Sequence, residues 1–127
     1  MNDGNKEYIK LKLASCFRSI LKKKKSIGLK NKENHVEDLR LVDSMRQLEA
    51  ESGLSYTIIQ GASVGKRDIQ FTSLITMIEN LGLTFSEFAN LYDKLTEKQI
   101  NDVKNEIESK QKTNKIPKKS KLNKKKT

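Results

Sequence analysis

MRQLEAESGLSYTIIQGASV, residues Met45 to Val64, is the stretch on which the fold of this chain turns. Two short runs flank Gly53, and each is too small to fold alone, because isolated short helices are marginal in water. Ser44, with Gln47 three residues on, has the form of a capping box, so a helix starts at Met45 and turns Met45 and Leu48 inward. That helix runs to about Ser52. Gly53 follows where a residue of positive φ is wanted, and glycine takes that conformation without a Cβ penalty. Leu54 precedes a second cap, Ser55, and Ile59 falls four positions after the cap, the spacing of a hydrophobic staple that fixes the approach of the next helix. Over Ser55 to Val64, Ile59 and Ala62 point inward while Ser55, Tyr56, Thr57, Gln60 and Gly61 face outward. The spacing is that of a helix-turn-helix, whose second helix is placed against a groove.

Downstream, the boundaries remain locally coherent. Gly65 ends the third helix, and Lys66, Arg67 and Asp68 form a polar loop. Phe71, Leu74, Ile75, Met77, Ile78 and Leu81 then make a strongly apolar fourth helix, closed by Gly82. Thr84 with Glu87 is another capping box and Leu83 with Phe88 another staple, so a fifth helix starts at Phe85 and carries Phe88, Leu91, Tyr92 and Leu95. Thr96 with Gln99 and Leu95 with Ile100 repeat the pattern. A sixth helix to about Lys110 is expected, its apolar stripe narrowed to Ile100, Val103 and Ile107.

Upstream, Tyr8, Ile9, Leu13, Cys16, Phe17, Ile20 and Leu21 recur at three- and four-residue steps, which predicts a first helix from about Glu7 to Lys24 after a flexible segment 1–6. Lys22 to Lys25 crowd its C-terminal end, where positive charge suits the helix dipole. Gly28, Asn31 and Asn34 interrupt the period, so Ser26 to Asp43 is expected to be a loop with local structure, with a short strand at Leu39 to Val42 as one option. His35, the lone histidine, reads as solvent-exposed, not as a metal ligand.

Charge divides the chain. The formal net charge is +10 over 127 residues, but Lys110 to Thr127 holds nine lysines and no acid, leaving seventeen bases and sixteen acids in residues 1–109. The folded part is expected at 7–110, and the lysine-rich segment 111–127, with its single proline and few apolar residues, is expected to be disordered. One cysteine, Cys16, cannot form an internal disulfide and reads as a small buried hydrophobe. No apolar run approaches the ~18 residues that span a membrane, and MNDGNKEY lacks the order of a signal peptide. The expectation is a soluble cytoplasmic protein with no membrane partner.

The phrase RQLEAESGLSYTIIQGASVGKRDIQFTSLITMIENLGLTFSEFA, with Leu48, Gly53, Leu54, Ile59, Gly65-Lys66 and Leu81-Gly82-Leu83 in register, resembles the Cro/cI-like, or Xre-type, helix-turn-helix family. The resemblance covers Met45 to Ala89 specifically and the first helix only loosely. It implies an all-α, five-helix, lambda-repressor-like domain, here with an insertion between helices one and two and the sixth helix added. It also implies a bacterial, nucleoid-associated transcription regulator, a repressor of phage or mobile-element type, that binds double-stranded DNA as a homodimer. This chain departs from the family pattern at Glu49, where a small residue is usual, and at Gly61, which has no side chain at a position where the family often carries a base-reading one.

In that docking mode the N-terminal part of the third helix meets base edges in the major groove, while helix-start amides hold phosphates. The implied base-reading residues are Ser55, Tyr56, Thr57 and Gln60, with Gln60 suited to adenine and the Thr57 methyl and Tyr56 ring to a thymine methyl. Phosphate contacts fall to the amides around Ser44 and Met45, to Arg46, and to Lys66 and Arg67. Each has a plainer reading: Tyr56 covers the core's edge, Arg67 pairs with Asp68, and Gln60 faces water. Tyr92, Leu95, Ile100, Val103 and Ile107 are the expected dimer or partner surface.

No carboxylate pair, Ser/His/Asp set, phosphate-binding glycine loop or cysteine cluster has the spacing that chemistry needs, so neither an enzyme nor a metal or cofactor protein is expected. The rival reading is an antitoxin-like interaction protein whose C-terminal helix holds a protein partner, with DNA binding secondary. The stripe Ile100, Val103, Ile107 separates the two: exposed, it argues for a partner; packed on helix five, for the simple regulator.

Overall fold

The computed structural model describes residues 3–38 and 41–110, and all of their regular structure is helical. Five helices run α1 (Asp3–Glu33), α2 (Met45–Ser52), α3 (Tyr56–Ser63), α4 (Phe71–Asn80) and α5 (Phe85–Lys94). A sixth, α6, occupies 97–110. The lysine-rich segment 111–127 and the first two residues of the supposed strand lie outside the described residues.

The core forms where one stripe of each helix converges. α1 supplies Cys16, Phe17 and Ile20, α2 Leu48, α3 Ile59 and Ala62, α4 Met77 and Ile78 with Leu81 beyond it, and α5 Phe88. The rings of Phe17 and Phe88 sit 5.3 Å apart, tilted by 40°, within the range in which aromatic pairs attract beyond their area burial. α1 packs against α3 and α5, while α2 touches α3 and α4, and α4 closes on α5. Cys16 is buried among these side chains, as expected of a small hydrophobe. Burial pushes its thiol pKa up to about 12, with Lys12 pulling weakly the other way, so at neutral pH it is a protonated packing group and not a nucleophile.

Most helix ends follow local rules. Thr84 and Glu87 exchange both bonds of a capping box, at 2.8 and 3.1 Å, and Thr96 with Gln99 does the same at 2.9 and 3.2 Å. Ser55 accepts from the Ile58 amide. At Ser44 the box is displaced by one residue: the Gln47 amide donates to Ser44 Oγ, but Gln47 Oε1 accepts from the amide of Asp43 and not from that of Ser44. Gly53, Gly65 and Gly82 all take positive φ.

The largest departure from expectation is α1, which spans 31 residues. It begins inside the segment expected to be flexible and continues through Ser26 to Glu33, so much of the supposed insertion is two further turns of helix. Gly28 does not break it. A Cβ at Gly28 would collide with the Asp43 carboxylate and reach Leu41, so this glycine is a site of close approach between α1 and the connector that returns to α2. The connector is pinned by Val42, which is buried in the core; neither Leu41 nor Val42 is in a strand.

α1 stops at a six-to-one bond from the Val36 amide to the Asn31 carbonyl (2.7 Å) and a bond from the His35 amide to Lys32 (3.3 Å). That pattern places His35 at the left-handed position of a Schellman motif, and its φ is 58°. A non-glycine residue there costs ~1–2 kcal/mol, which argues that His35→Gly stabilises the chain by about 1 kcal/mol, seen as a raised urea midpoint at constant m-value. An unchanged or lowered midpoint would show that the helix end is not coupled to global unfolding.

Phe71, expected on the apolar face of the fourth helix, lies outside the core, as does Phe85. Phe71 is 63% exposed and Phe85 50%; they are the first residues of α4 and α5, and their rings meet edge to face at 5.8 Å.

Candidate nucleic-acid interface

α3 is held from its inner side. Ile59, Ala62 and Ser63 are buried, and the Ser63 hydroxyl donates to the Gln60 carbonyl at 2.9 Å and approaches Met45 Sδ at 3.4 Å, which joins α3 to the start of α2. The Ser63 carbonyl accepts from Arg18 Nε at 2.8 Å, and Arg18 Nη1 donates to Glu106 Oε1 at 2.8 Å. One half-buried arginine on α1 thus links the end of α3 to α6. Such charge-assisted bonds are stronger than neutral ones, so α3 has a firm seat.

Its outer face is polar and uncharged. Ser55, Thr57 and Gln60 are exposed, and Tyr56 is half-buried. Thr57 and Gln60 lie three residues apart, hence on one face. Ser55 Oγ is already accepting the Ile58 amide as the cap, which leaves its hydroxyl hydrogen as the group free to donate outward. Tyr56 is not a free ring, since the Arg46 guanidinium lies 3.9 Å from its centroid. Arg46 is also bridged to Glu49 at 3.4 Å, yet its side chain stays 74% exposed. The expected base reader Tyr56 and the expected phosphate residue Arg46 therefore form one unit across the α2–α3 turn, with the ring orienting the cation.

The other expected phosphate groups flank this face. Ser44 and Met45 open α2, where first-turn amides have no partner inside the helix; Ser44 is half-buried, its hydroxyl engaged by Gln47. Beyond α3, Gly65 turns the chain at φ 70°, and a Cβ there would press on the α1 backbone at Leu11 and Lys10, both at 3.4 Å. Lys66 and Arg67 follow and are exposed. Asp68 pairs with Lys6 at 3.1 Å, and the Arg67–Asp68 pairing of the plainer reading is not made. Positive charge thus stands on both sides of an uncharged polar face, a layout that can attract an anion at the edges while leaving hydrogen-bonding groups in the middle.

The expected partner stripe is used within the chain. Ile100 is 2% exposed and Ile107 7%, with Val103, Tyr92 and Leu95 half-buried. Ile107 and Lys104 line an open cleft with Tyr8 and Leu11 of α1 and Val64 to Lys66 after α3, so α6 lies against α1 and the end of α3 as well as following α5. Lys12 caps the Tyr92 ring at 4.1 Å. The Tyr92 hydroxyl pKa is raised, first by burial and then by Cys16, Asp93 and Tyr8. Arg18 was missed in the sequence because it sits beside Phe17 with no local signal of its distant partners.

Among the described residues no group of three or more His, Cys, Asp or Glu could hold a metal ion, and no helix is long and apolar enough to cross a membrane. Comparison with protein-family models, with curated proteins and with solved structures finds no match to this chain.

Proposed function

We propose that this chain is a sequence-specific double-stranded DNA-binding regulator of the Cro/cI-like helix-turn-helix class, with α3 entering the major groove. The observation that carries the reading is the composition of α3's two faces. The inner one is fully committed to α1 and α2; the outer one presents Thr57 and Gln60 between Arg46 on one side and Lys66 and Arg67 on the other. Gln60 reads adenine, Thr57 meets a thymine methyl, and the Arg46–Tyr56 unit donates to the backbone beside the start of α3. Ser44 and Met45 amides and Lys66 position the duplex without reading it. The burial of Ile100 and Ile107 favours this reading over the antitoxin-like one, because the surface the rival needs is occupied in the monomer. Two copies on half-sites ~34 Å apart would have to meet through some other surface.

Selection of bound duplexes from a random pool tests the proposal. A recurrent motif is expected, palindromic if two copies bind. With Gln60→Ala, preference at one base pair should fall by ~1–3 kcal/mol while the rest of the motif persists. A pool that yields no motif, or a variant that weakens every sequence equally, would count against α3 as the reader.

A further inference from the structure

Gly61 lies on the outward face of α3, one turn beyond Thr57 and next to Gln60, and by itself offers a duplex nothing. The space above it is nevertheless filled. Gly65 at φ 70° reverses the chain, and the amides of Lys66 and Arg67 both donate back to the Gly61 carbonyl, at 3.0 and 3.2 Å. A Cβ built on Gly61 would lie 2.8 Å from Arg67 Cβ, 3.2 Å from Cδ and 3.5 Å from Cγ. The first three side-chain carbons of Arg67 therefore run where a side chain at 61 would begin.

Arg67 is exposed. Among the described residues no carboxylate pairs with it, its neighbour Asp68 being taken by Lys6. A guanidinium without an intramolecular partner keeps its donor fork available, and the fork matches O6 and N7 of guanine, whereas an ammonium is a point charge.

We infer that Arg67, seated over Gly61, is a base-reading residue that donates to a guanine beside the base pair read by Gln60, not a contact to phosphate alone. The inference rests on the DNA-reading proposal and adds a specificity element to it. The glycine is required because any side chain at 61 would displace the arginine, so the two positions act as one.

The test compares motifs selected from a random duplex pool by the full chain and by Arg67→Ala, Arg67→Lys and Gly61→Ala. The wild-type motif is expected to contain a G·C pair next to the Gln60-dependent one. Arg67→Ala should reduce discrimination at that pair about 10- to 100-fold with the other positions retained. Arg67→Lys should keep binding to non-specific duplex but lose most of that discrimination. Gly61→Ala should lose the same position although Arg67 is intact. An Arg67→Ala motif unchanged in every position, with all sequences bound more weakly, would overturn the inference and leave Arg67 a phosphate contact, while the wild-type motif would keep the DNA-reading proposal standing. A wild-type chain that selects no motif overturns both. Arg67→Ala removes an exposed side chain, so its outcome does not depend on how well Gly61→Ala folds.

Discussion

Phe17→Ala is expected to cost about 3–5 kcal/mol of folding free energy, enough to leave a domain of this size marginal or unfolded, since small domains hold only ~5–15 kcal/mol in total. Phe17 has no exposed surface, and its ring is the contact through which α1 meets Phe88 of α5. Removing it leaves a cavity between two elements that cannot simply collapse, because α1 is also tied to α3 through Arg18. Urea denaturation should show a large drop in midpoint, and Phe17→Leu, which keeps most of the volume, a much smaller one. A loss below ~1 kcal/mol for the alanine variant would mean that the α1–α5 contact contributes little and that α2 and α3 fold without it.

What could be read in the sequence was what local chemistry decides. Gly53, Gly65 and Gly82 take positive φ where the caps and periodicities required it, and Ser55, Thr84 and Thr96 cap helices because the hydroxyl and the amide three residues on are neighbours in any chain that starts a helix there. Inward and outward faces of α3 followed from the 3.6-residue period in the same way. The errors sit where the deciding partner is far along the chain. Gly28 looked like a breaker because nothing local says that Asp43, fifteen residues later, comes down on it. His35 adopts a conformation that composition disfavours, since the Asn31 and Lys32 carbonyls of α1 are satisfied there. Phe71 and Phe85 are the opening residues of their helices, at the rim of the core, whereas Leu74 and Phe88, three residues further on, pack into it.

The site divides along the same line. Which residues of α3 face outward was legible; what they touch was not. Tyr56 stacks with Arg46 only because α2 and α3 dock at this angle, and Arg67 reaches Gly61 only because the turn at Gly65 folds it back. A glycine at a position expected to read bases looked like a gap in the surface, yet it is the space that a neighbouring arginine occupies.

Ile100→Ala is expected to cost about 2–5 kcal/mol, against the near-zero cost, within ~0.5 kcal/mol, of truncating a residue on an exposed partner surface. The side chain is 2% exposed and lies in the first turn of α6, directly after the Thr96–Gln99 capping box, so its loss removes the apolar contact that seats the helix while the cap remains. Val103→Ala, on the same stripe but half-buried, should cost clearly less. Paired measurements of urea midpoint and sedimentation separate the two roles. Lowered stability in a chain of unchanged mass assigns Ile100 to the core, whereas unchanged stability with loss of a dimer would return the stripe to a partner. The consequence extends to α3, because Glu106 of α6 holds Arg18, and Arg18 holds the Ser63 carbonyl at the end of α3. Loosening α6 therefore withdraws one of the restraints on α3, and, on the proposed DNA-binding function, duplex affinity in the Ile100→Ala chain is expected to fall even under conditions where it remains folded.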